Sequence, residues 1–334
     1  MIEKIEHALM CLQTIDPGYH RRSSEPALPM TTTSSVLPLL RPLRVLADHR
    51  GQPAALLLDL HMVMGVALPD AQLAELAANM TCLYRAPLAP EQAAQLDAAG
   101  WQRLDPARLA RMDQAFDPAS VQPGTTWVDG DWYLGPPPRA AGAQAASRAL
   151  ALQLVQLVAA DADTHEIEAL LRRDPGLSYQ LLRLVNSLGV GPGRKIASFA
   201  QALMILGRQQ LRRWLNLMLF ATRGDDPRSA MLLARVAVRA RMLELLAKER
   251  GLDKNTQELA FMTGMFSLLG VLFGMPLAEV LAPLSLSEGV VAALLRGEGE
   301  LGALLAEAAA LTRVDALTLD AFVWMQAALR ESAP

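Results

Sequence analysis

The sequence predicts a mainly α-helical protein in which a small α/β unit precedes a longer all-helical part. The chain has 334 residues, of which 52% are hydrophobic and only 5% aromatic. Alanine and leucine dominate the apolar residues, and both favour helices over strands. Apolar runs of strand length occur only before residue 140, whereas apolar residues recur at helical spacing from residue 143 onward.

This pattern divides the chain into three predicted segments. Residues 1–40 are expected to form a poorly ordered arm with a short N-terminal helix, because a stretch rich in Pro, Ser and Thr follows residue 16. Residues 41–140 are predicted to form the small α/β domain and residues 141–334 the helical domain. The triple proline at 136–138 marks the boundary between them.

The α/β segment begins with two apolar runs, at 43–48 and 54–60, which are predicted strands separated by the turn-like HRGQP. Two short helices are expected at 73–80 and 90–99. Asp48 and Asp59 end the two apolar runs. They occupy places where a barrel enzyme carries carboxylates, although turn and cap residues more commonly explain such positions.

In the second half, apolar residues at helical spacing predict consecutive helices at 208–222, 228–250, 256–274, 287–296, 299–311 and 316–330. Its most apolar stretch, Leu259–Ala278, runs for 20 residues without a charge, the length of a membrane span. It has no basic flank and contains three glycines and a proline. We therefore expect a buried central helix and no membrane contact.

Composition restricts location and partners. Cys11 and Cys82 make no disulfide framework, and the first residues lack a secretory signal, so a cytoplasmic location is predicted. The net charge of −3 favours neither nucleic acid nor membrane overall.

Positive charge is nevertheless concentrated between residues 194 and 241, with ten basic residues against two acidic ones. This patch is the candidate site for a ligand or partner, and a nucleotide or another anion would fit its charge. A solvated or internally paired surface explains the patch as well. The candidate binding residues are Arg194, Lys195, Arg208, Arg212 and Arg213.

Residues from about 145 to 315 resemble the HDOD domain of bacterial signalling proteins, a helical relative of the HD metal phosphohydrolases. LLRLVNS, FMTGMFSLLG and the later PLAEVLAPLSLSEGV carry the resemblance. Its matching residues, for which the resemblance implies structural roles, are Asp174, Pro175, Asn186, Ser187 and Gly207. A local similarity of GDWYLGPP, at 130–137, to the end of an EAL domain suggests that residues 41–140 are a truncated EAL-like remnant.

Known catalytic patterns fail when tested against the residues. HD hydrolysis needs a histidine and a His-Asp pair, but the resemblance puts Ser267-Leu268 in the place of that pair, and no histidine follows His165. An EAL phosphodiesterase needs a barrel of about 250 residues, whereas the predicted α/β segment at 41–140 has only about 100. The tripeptide Glu168-Ala169-Leu170 lies in a predicted helix and is a chance match. We therefore expect no catalytic residues, metal or cofactor, and no enzymatic activity.

The predicted function is a non-catalytic signal-transduction module that regulates unidentified signalling proteins through protein–protein interaction. The alternative is a nucleotide or cyclic-dinucleotide sensor that has lost phosphohydrolase activity and uses the arginine patch for phosphates. DNA binding is not favoured, because no recognition-helix motif stands out.

Overall fold

The computed structural model describes most of the chain between residues 42 and 332, and residues 39–334 form one compact unit. The described residues are 42–60, 68–138, 153–154, 156–157, 160, 162–171, 213, 215–217, 220, 226–284, 286–310 and 314–332. The predicted N-terminal arm and helix lie outside these ranges.

A six-stranded sheet occupies the first half of this unit. Its strands are β1 (Leu43–Ala47), β2 (Pro53–Leu58), β3 (Thr81–Tyr84), β4 (Gln102–Arg103), β5 (Leu109–Arg111) and β6 (Trp127–Asp129). The strand order is β4-β3-β2-β1-β6-β5. Only β1 runs antiparallel to its neighbours, β2 and β6, so the other five strands all point the same way.

The predicted hairpin between the first two strands is confirmed. Leu43 pairs with Leu58 and Leu46 with Ala55. The turn closes because Gly51 adopts a positive φ of 76° and the Asp48 carboxylate accepts hydrogen bonds from two backbone amides of the turn. Asp48 is thus a turn residue, which is the more common role of an aspartate at such a position.

Two helices, α1 (Asp70–Asn79) and α2 (Pro90–Ala98), connect the strands and match the two predicted near 73–80 and 90–99. Pro90 begins α2, where its missing N–H costs no hydrogen bond. Trp101, buried after α2, donates its indole N–H to the carbonyl oxygen of Leu73 at 3.0 Å. This bond joins the end of α2 to α1.

The second half is helical throughout its described residues. Its helices are α3 (Thr164–Leu171), α4 (Ser229–Glu249), α5 (Lys254–Phe266), α6 (Leu269–Phe273), α7 (Leu277–Leu281), α8 (Glu288–Arg296), α9 (Gly299–Ala310) and α10 (Ala316–Ser332). No strand occurs among the described residues beyond 140, and the mainly α-helical class is consistent with this architecture.

One predicted helix is wrong as a continuous element. The stretch expected as a single helix at 256–274 divides at Ser267 and Leu268 into α5 and α6. Three residues then separate α6 from α7. Gly274 ends α6 with a positive φ of 65°, and Pro276 then starts α7 as its N-cap. By length and composition Lys254–Phe273 is able to cross a membrane, but 61% of it is buried within the protein, as a core helix would be.

The core is shared between the sheet and the helices. Leu56, Leu58 and Cys82 on one face of the sheet belong to the same buried cluster as the inner sides of α4, α5 and α10. A smaller cluster, including Leu57 and Leu83, covers the opposite face. Helix α4 packs against both α5 and α10, and α10 also packs against α1. The predicted domain boundary near 140 stays a prediction.

Candidate functional site

Four charged side chains meet at one edge of the sheet. Asp59 follows β2, Arg85 follows β3 and Asp129 ends β6. Because these strands are parallel to one another, their carboxyl ends lie at the same edge. Since β1 runs the opposite way, its amino end, with Arg44, lies there too. We call Arg44, Asp59, Arg85 and Asp129 the edge cluster.

The guanidinium of Arg44 lies between the two carboxylates of this cluster. Its Nε is 3.0 Å from Asp129 Oδ2, and its Nη2 is 3.8 Å from Asp59 Oδ2. Arg85 Nε donates to Asp59 Oδ2 at 2.8 Å. Both carboxylate side chains are largely buried, with 13% of Asp59 and 11% of Asp129 exposed, whereas 31% of the Arg85 side chain reaches solvent. The outermost group of the cluster is therefore a guanidinium.

The backbone fixes the position of Asp129. Its carbonyl oxygen accepts a hydrogen bond from Met112 N at 2.8 Å, and its Oδ1 accepts one from Gly130 N at 2.9 Å. Gly130 has a φ of 130°, and a Cβ there would overlap the Met112 carbonyl oxygen. Glycine is thus the residue that this turn requires.

The backbone on the other side of the cluster is held in the same way. Asp59 N donates to the carbonyl oxygen of Pro42, and Arg85 N donates to that of Leu58 at 2.9 Å. These bonds extend the pairing of the strands by one residue. The charged side chains therefore stand on fixed backbone at the end of the sheet.

The residue types of the edge cluster suit a phosphate-containing ligand. Guanidinium groups bind phosphate oxygens through two parallel N–H donors, and a nearby carboxylate can accept a proton from water. Among the described residues, no group of three or more His, Cys, Asp or Glu side chains converges to hold a metal ion. The two carboxylates here are already paired with arginines.

Of the residues predicted to bind a ligand, the structure describes Arg213, and it lies in an internal ion-pair network. Its Nη2 is 2.8 Å from Glu244 Oε1, and its Nε donates to Glu258 Oε2 at 2.9 Å. The guanidinium carbon lies 4.2 Å from the ring centre of Phe261. Burial acts to lower the pKa of Arg213, but the hydrogen bonds to Glu258 and Glu244 outweigh it and raise the pKa.

This arrangement matches the internally paired alternative for Arg213. The other candidate binding residues lie outside the described residues, as do the motif residues implied by the family resemblance. These residues are Arg194, Lys195, Arg208, Arg212, Asp174, Pro175, Asn186, Ser187 and Gly207. The patch therefore stays a prediction.

Ser267 and Leu268 lie where α5 ends. The Ser267 hydroxyl accepts a hydrogen bond from Arg239 Nη1 at 2.9 Å and donates one to the carbonyl oxygen of Gly264. Leu268 is buried in the core. The tripeptide Glu168-Ala169-Leu170 lies within α3, in agreement with its prediction as a helical segment.

Of the edge cluster, the sequence pointed to Asp59 but not to Arg44, Arg85 or Asp129. The available signal was the polar residue that follows each short apolar strand. Without the strand order, nothing in the sequence showed that these positions share an edge, because β2 and β6 are not consecutive.

Comparison with known proteins identifies the second half. The family profile of the HDOD domain matches residues 146–307. The chain is 34% identical over 157 residues to the cyclic di-GMP phosphodiesterase CdgJ of Vibrio cholerae serotype O1. The matched segment covers 47% of this chain and 36% of CdgJ. It is 33% identical over 129 residues to the uncharacterized protein YuxH of Bacillus subtilis, covering 37% of this chain and 31% of YuxH.

The matched segments thus span about a third of the length of these curated relatives. No solved structure matches the chain significantly. An EAL-like remnant in residues 41–140 is not shown and stays a prediction.

These comparisons correct the functional expectation. A non-catalytic regulatory module without enzymatic activity was expected, because no pattern of catalytic residues was found. The relative CdgJ is named as a cyclic di-GMP phosphodiesterase, which points to a catalytic role instead. That expectation rested on the absence of known catalytic motifs from the sequence.

Proposed function

Because residues 146–307 match the family profile of the HDOD domain, we propose that this chain acts in cyclic di-GMP signalling and takes part in hydrolysing that nucleotide. The observation that carries the proposal is the 34% identity over 157 residues to a protein named as a cyclic di-GMP phosphodiesterase. The edge cluster supplies the chemistry for it.

The two arginines of the edge cluster suit the two phosphates of a cyclic dinucleotide. Arg85 is the most exposed member, and its ion pair with Asp59 leaves the other guanidinium nitrogens available for an approaching phosphate. The 3.8 Å contact between Arg44 and Asp59 is the longest in the cluster. A phosphate that took the place of Asp59 beside Arg44 would leave Arg44 paired with Asp129.

Hydrolysis would then use the carboxylate of Asp59, which stays paired with Arg85. Asp59 would accept a proton from a water molecule as the water oxygen bonds to phosphorus, and the bond from phosphorus to the ribose oxygen would break. The ribose oxygen takes a proton from solvent, and a linear dinucleotide results. The guanidinium groups would stabilise the negative charge that grows on the phosphate oxygens.

Incubation of the full chain with cyclic di-GMP, followed by chromatography of the nucleotides, tests this proposal. We expect the linear dinucleotide to accumulate, and the rate to fall about 100-fold or more in Asp59→Asn, as for loss of a general base. The matched control is Asp48→Asn, at the opposite end of β1, because an asparagine oxygen can accept the same turn hydrogen bonds.

Three outcomes are decisive. Product formation that is lost in Asp59→Asn and retained in Asp48→Asn supports the proposal. Absence of a linear product from the wild-type chain, tested both with Mg²⁺ or Mn²⁺ and with a chelator, would refute hydrolysis. Equal rates in Asp59→Asn and wild type would remove the edge cluster from the reaction.

A further inference from the structure

Asp226 and Arg228 form a buried ion pair at the start of α4. Asp226 and Arg228 are only 8% and 4% exposed. Arg228 Nη2 lies 2.8 Å from Asp226 Oδ2, and Arg228 Nε donates to Asp226 Oδ1 at 3.0 Å. Since the partners are two residues apart, this pair alone joins no distant segments.

The remaining nitrogen of the guanidinium makes the long-range contacts. Arg228 Nη1 donates to the carbonyl oxygen of Gly135, which follows the last strand, and to that of Val271 in α6 at 3.3 Å. One side chain therefore joins the chain beyond β6, the start of α4 and helix α6. Removing it would leave two carbonyl oxygens and a carboxylate without this donor.

A second contact fixes the same place. A Cβ at Gly274, which has a positive φ of 65°, would overlap the ring of Pro137. The turn after α6 thus needs glycine both for its conformation and for the approach of Pro137. Residues 135–137 are held against α6 at two points.

The position of Arg228 is unfavourable for a cation. It is the N-cap of α4, where the helix dipole disfavours positive charge, and burying an ion pair carries a desolvation cost. A well-packed apolar pair would carry neither cost. What an apolar pair would lack is the ability to bind two carbonyl oxygens from separate segments.

Gly135 lies only six positions after Asp129 of the edge cluster. This segment is ordered by its own hydrogen bonds, in which Leu134 N donates to the Asp131 carbonyl oxygen and Gly135 N to that of Trp132. Trp132 is buried, and the turn that contains it contacts α4. We define residues 129–135 as the strap: one end carries the edge-cluster carboxylate and the other is bound by Arg228.

We propose that Arg228 is a positioning residue that holds the strap, and through it Asp129, in place from the helical region. This proposal rests on the proposed function for its consequence, since it makes the HDOD domain a part that sets the geometry of the edge cluster. The proposal requires that removing the contacts of Arg228 speeds amide exchange in the strap without speeding it in the rest of the sheet.

Hydrogen exchange measured by mass spectrometry on the full chain tests this directly. The variant is Asp226→Asn combined with Arg228→Met, which leaves no buried unpaired charge. We expect amide exchange over 129–135 to become roughly tenfold faster, while exchange over β1 and β2 stays as in the wild type. The matched control is Arg250→Met, at the opposite end of α4, which removes an exposed ion pair with Glu307.

A milder variant protects the test against misfolding. Arg228→Lys keeps the charge beside Asp226 but cannot span both carbonyl oxygens with a planar group. We expect its exchange over 129–135 to lie between those of the wild type and the double variant. Unchanged exchange over 129–135, or an equal increase over 43–58, would overturn the proposal.

Adding cyclic di-GMP separates positioning from mere stability. In the wild type it should slow exchange both over 129–135 and over 269–273, whereas in the double variant the effect should stop at 129–135. Slowing over 129–135 alone in the wild type would contradict the coupling. No effect of cyclic di-GMP on either segment would count against the proposed function, and the comparison without ligand would still decide the role of Arg228.

Discussion

The side-chain amide of Gln326 in α10 donates a hydrogen bond to the carbonyl oxygen of Leu76 in α1, at 3.1 Å and 250 positions away in the chain. Gln326 is 2% exposed. Leu76 O also accepts the hydrogen bond of Met80 N, so it is already paired within its own turn. The bond to Gln326 therefore attaches the last helix to the sheet region without being needed to satisfy that carbonyl.

Replacement of Gln326 tests how this contact acts. Gln326→Met keeps the volume and should change the free energy of unfolding by no more than about 1 kcal/mol. Gln326→Glu places a carboxylate against a carbonyl oxygen in a buried site and should cost more than about 2 kcal/mol at pH 7. Denaturant unfolding of both variants measures the difference. Equal stability of the two would show that the site is not buried as described.

Adding one methyl group at a glycine is expected to have opposite effects on stability in α5 and in α8. A Cβ at Gly264 would lie 2.5 Å from the Cα of Ala240 in α4, so Gly264→Ala must push the two helices apart. We expect a loss of about 1–3 kcal/mol. At Gly289 in α8 no atom lies within 4 Å, and Gly289→Ala should stabilise by about 0.5–1 kcal/mol.

Thermal unfolding of the two alanine variants, beside the wild type, checks this pair. The two substitutions are chemically identical and both lie in helices, so helix propensity cancels between them. A stabilising Gly264→Ala would contradict the close approach of α4 and α5.

Removal of the Arg213 guanidinium is expected to cost stability. This group neutralises Glu244 and Glu258, whose side chains are 14% exposed, and Arg213→Met would leave Glu258 without this cation. We expect a loss of about 1–3 kcal/mol at pH 7, between the values for exposed and buried pairs.

Unfolding free energies of Arg213→Met and of Arg213→Met/Glu258→Gln at pH 7 test this interpretation. The second substitution should recover part of the loss. An equal deficit in the single and the double variant would mean that the packing of the side chain on Phe261, rather than its charge, stabilises the fold.

Cys82 should be inert to thiol reagents in the folded protein. Burial raises the pKa of its thiol from 9.0 to about 12, so almost none of it is thiolate at pH 8. Because the neutral thiol is favoured in the folded state, its contribution to stability is complete below pH 9 and is lost as pH rises toward 12.

Alkylation at pH 8, with and without denaturant, followed by mass spectrometry of the peptide containing Cys82, measures this. Modification is expected only with denaturant. Rapid modification of Cys82 in the folded chain would contradict its burial in β3.

Local elements were predictable because their signals are local. The hairpin of β1 and β2 was predicted from two apolar runs around a turn, and helices such as α4 and α10 from apolar spacing. The division between α5 and α6, at Ser267 and Leu268, was missed because the apolar pattern continues across it. The predicted end of this helix at 274 agrees with Gly274, whose positive φ ends α6.

The candidate site depended on relations that no local pattern carries. Asp59 and Asp129 are 70 positions apart and meet because β1 lies between β2 and β6 in the sheet. For Arg213 the sequence left ligand binding and internal pairing open, and it did not show that Glu244 and Glu258, from two other helices, are its partners.

The sequence by itself determined that this chain is mainly helical, that its strands precede residue 140 and that its second half resembles an HDOD domain. Periodicity, turn residues and spaced motifs act over a few residues and can be read without a structure. Only the tertiary structure decided that Arg44, Asp59, Arg85 and Asp129 share one edge, and that Arg228 binds the end of the sheet region. These contacts depend on strand order and helix packing, which join residues distant in the chain through burial of a common core.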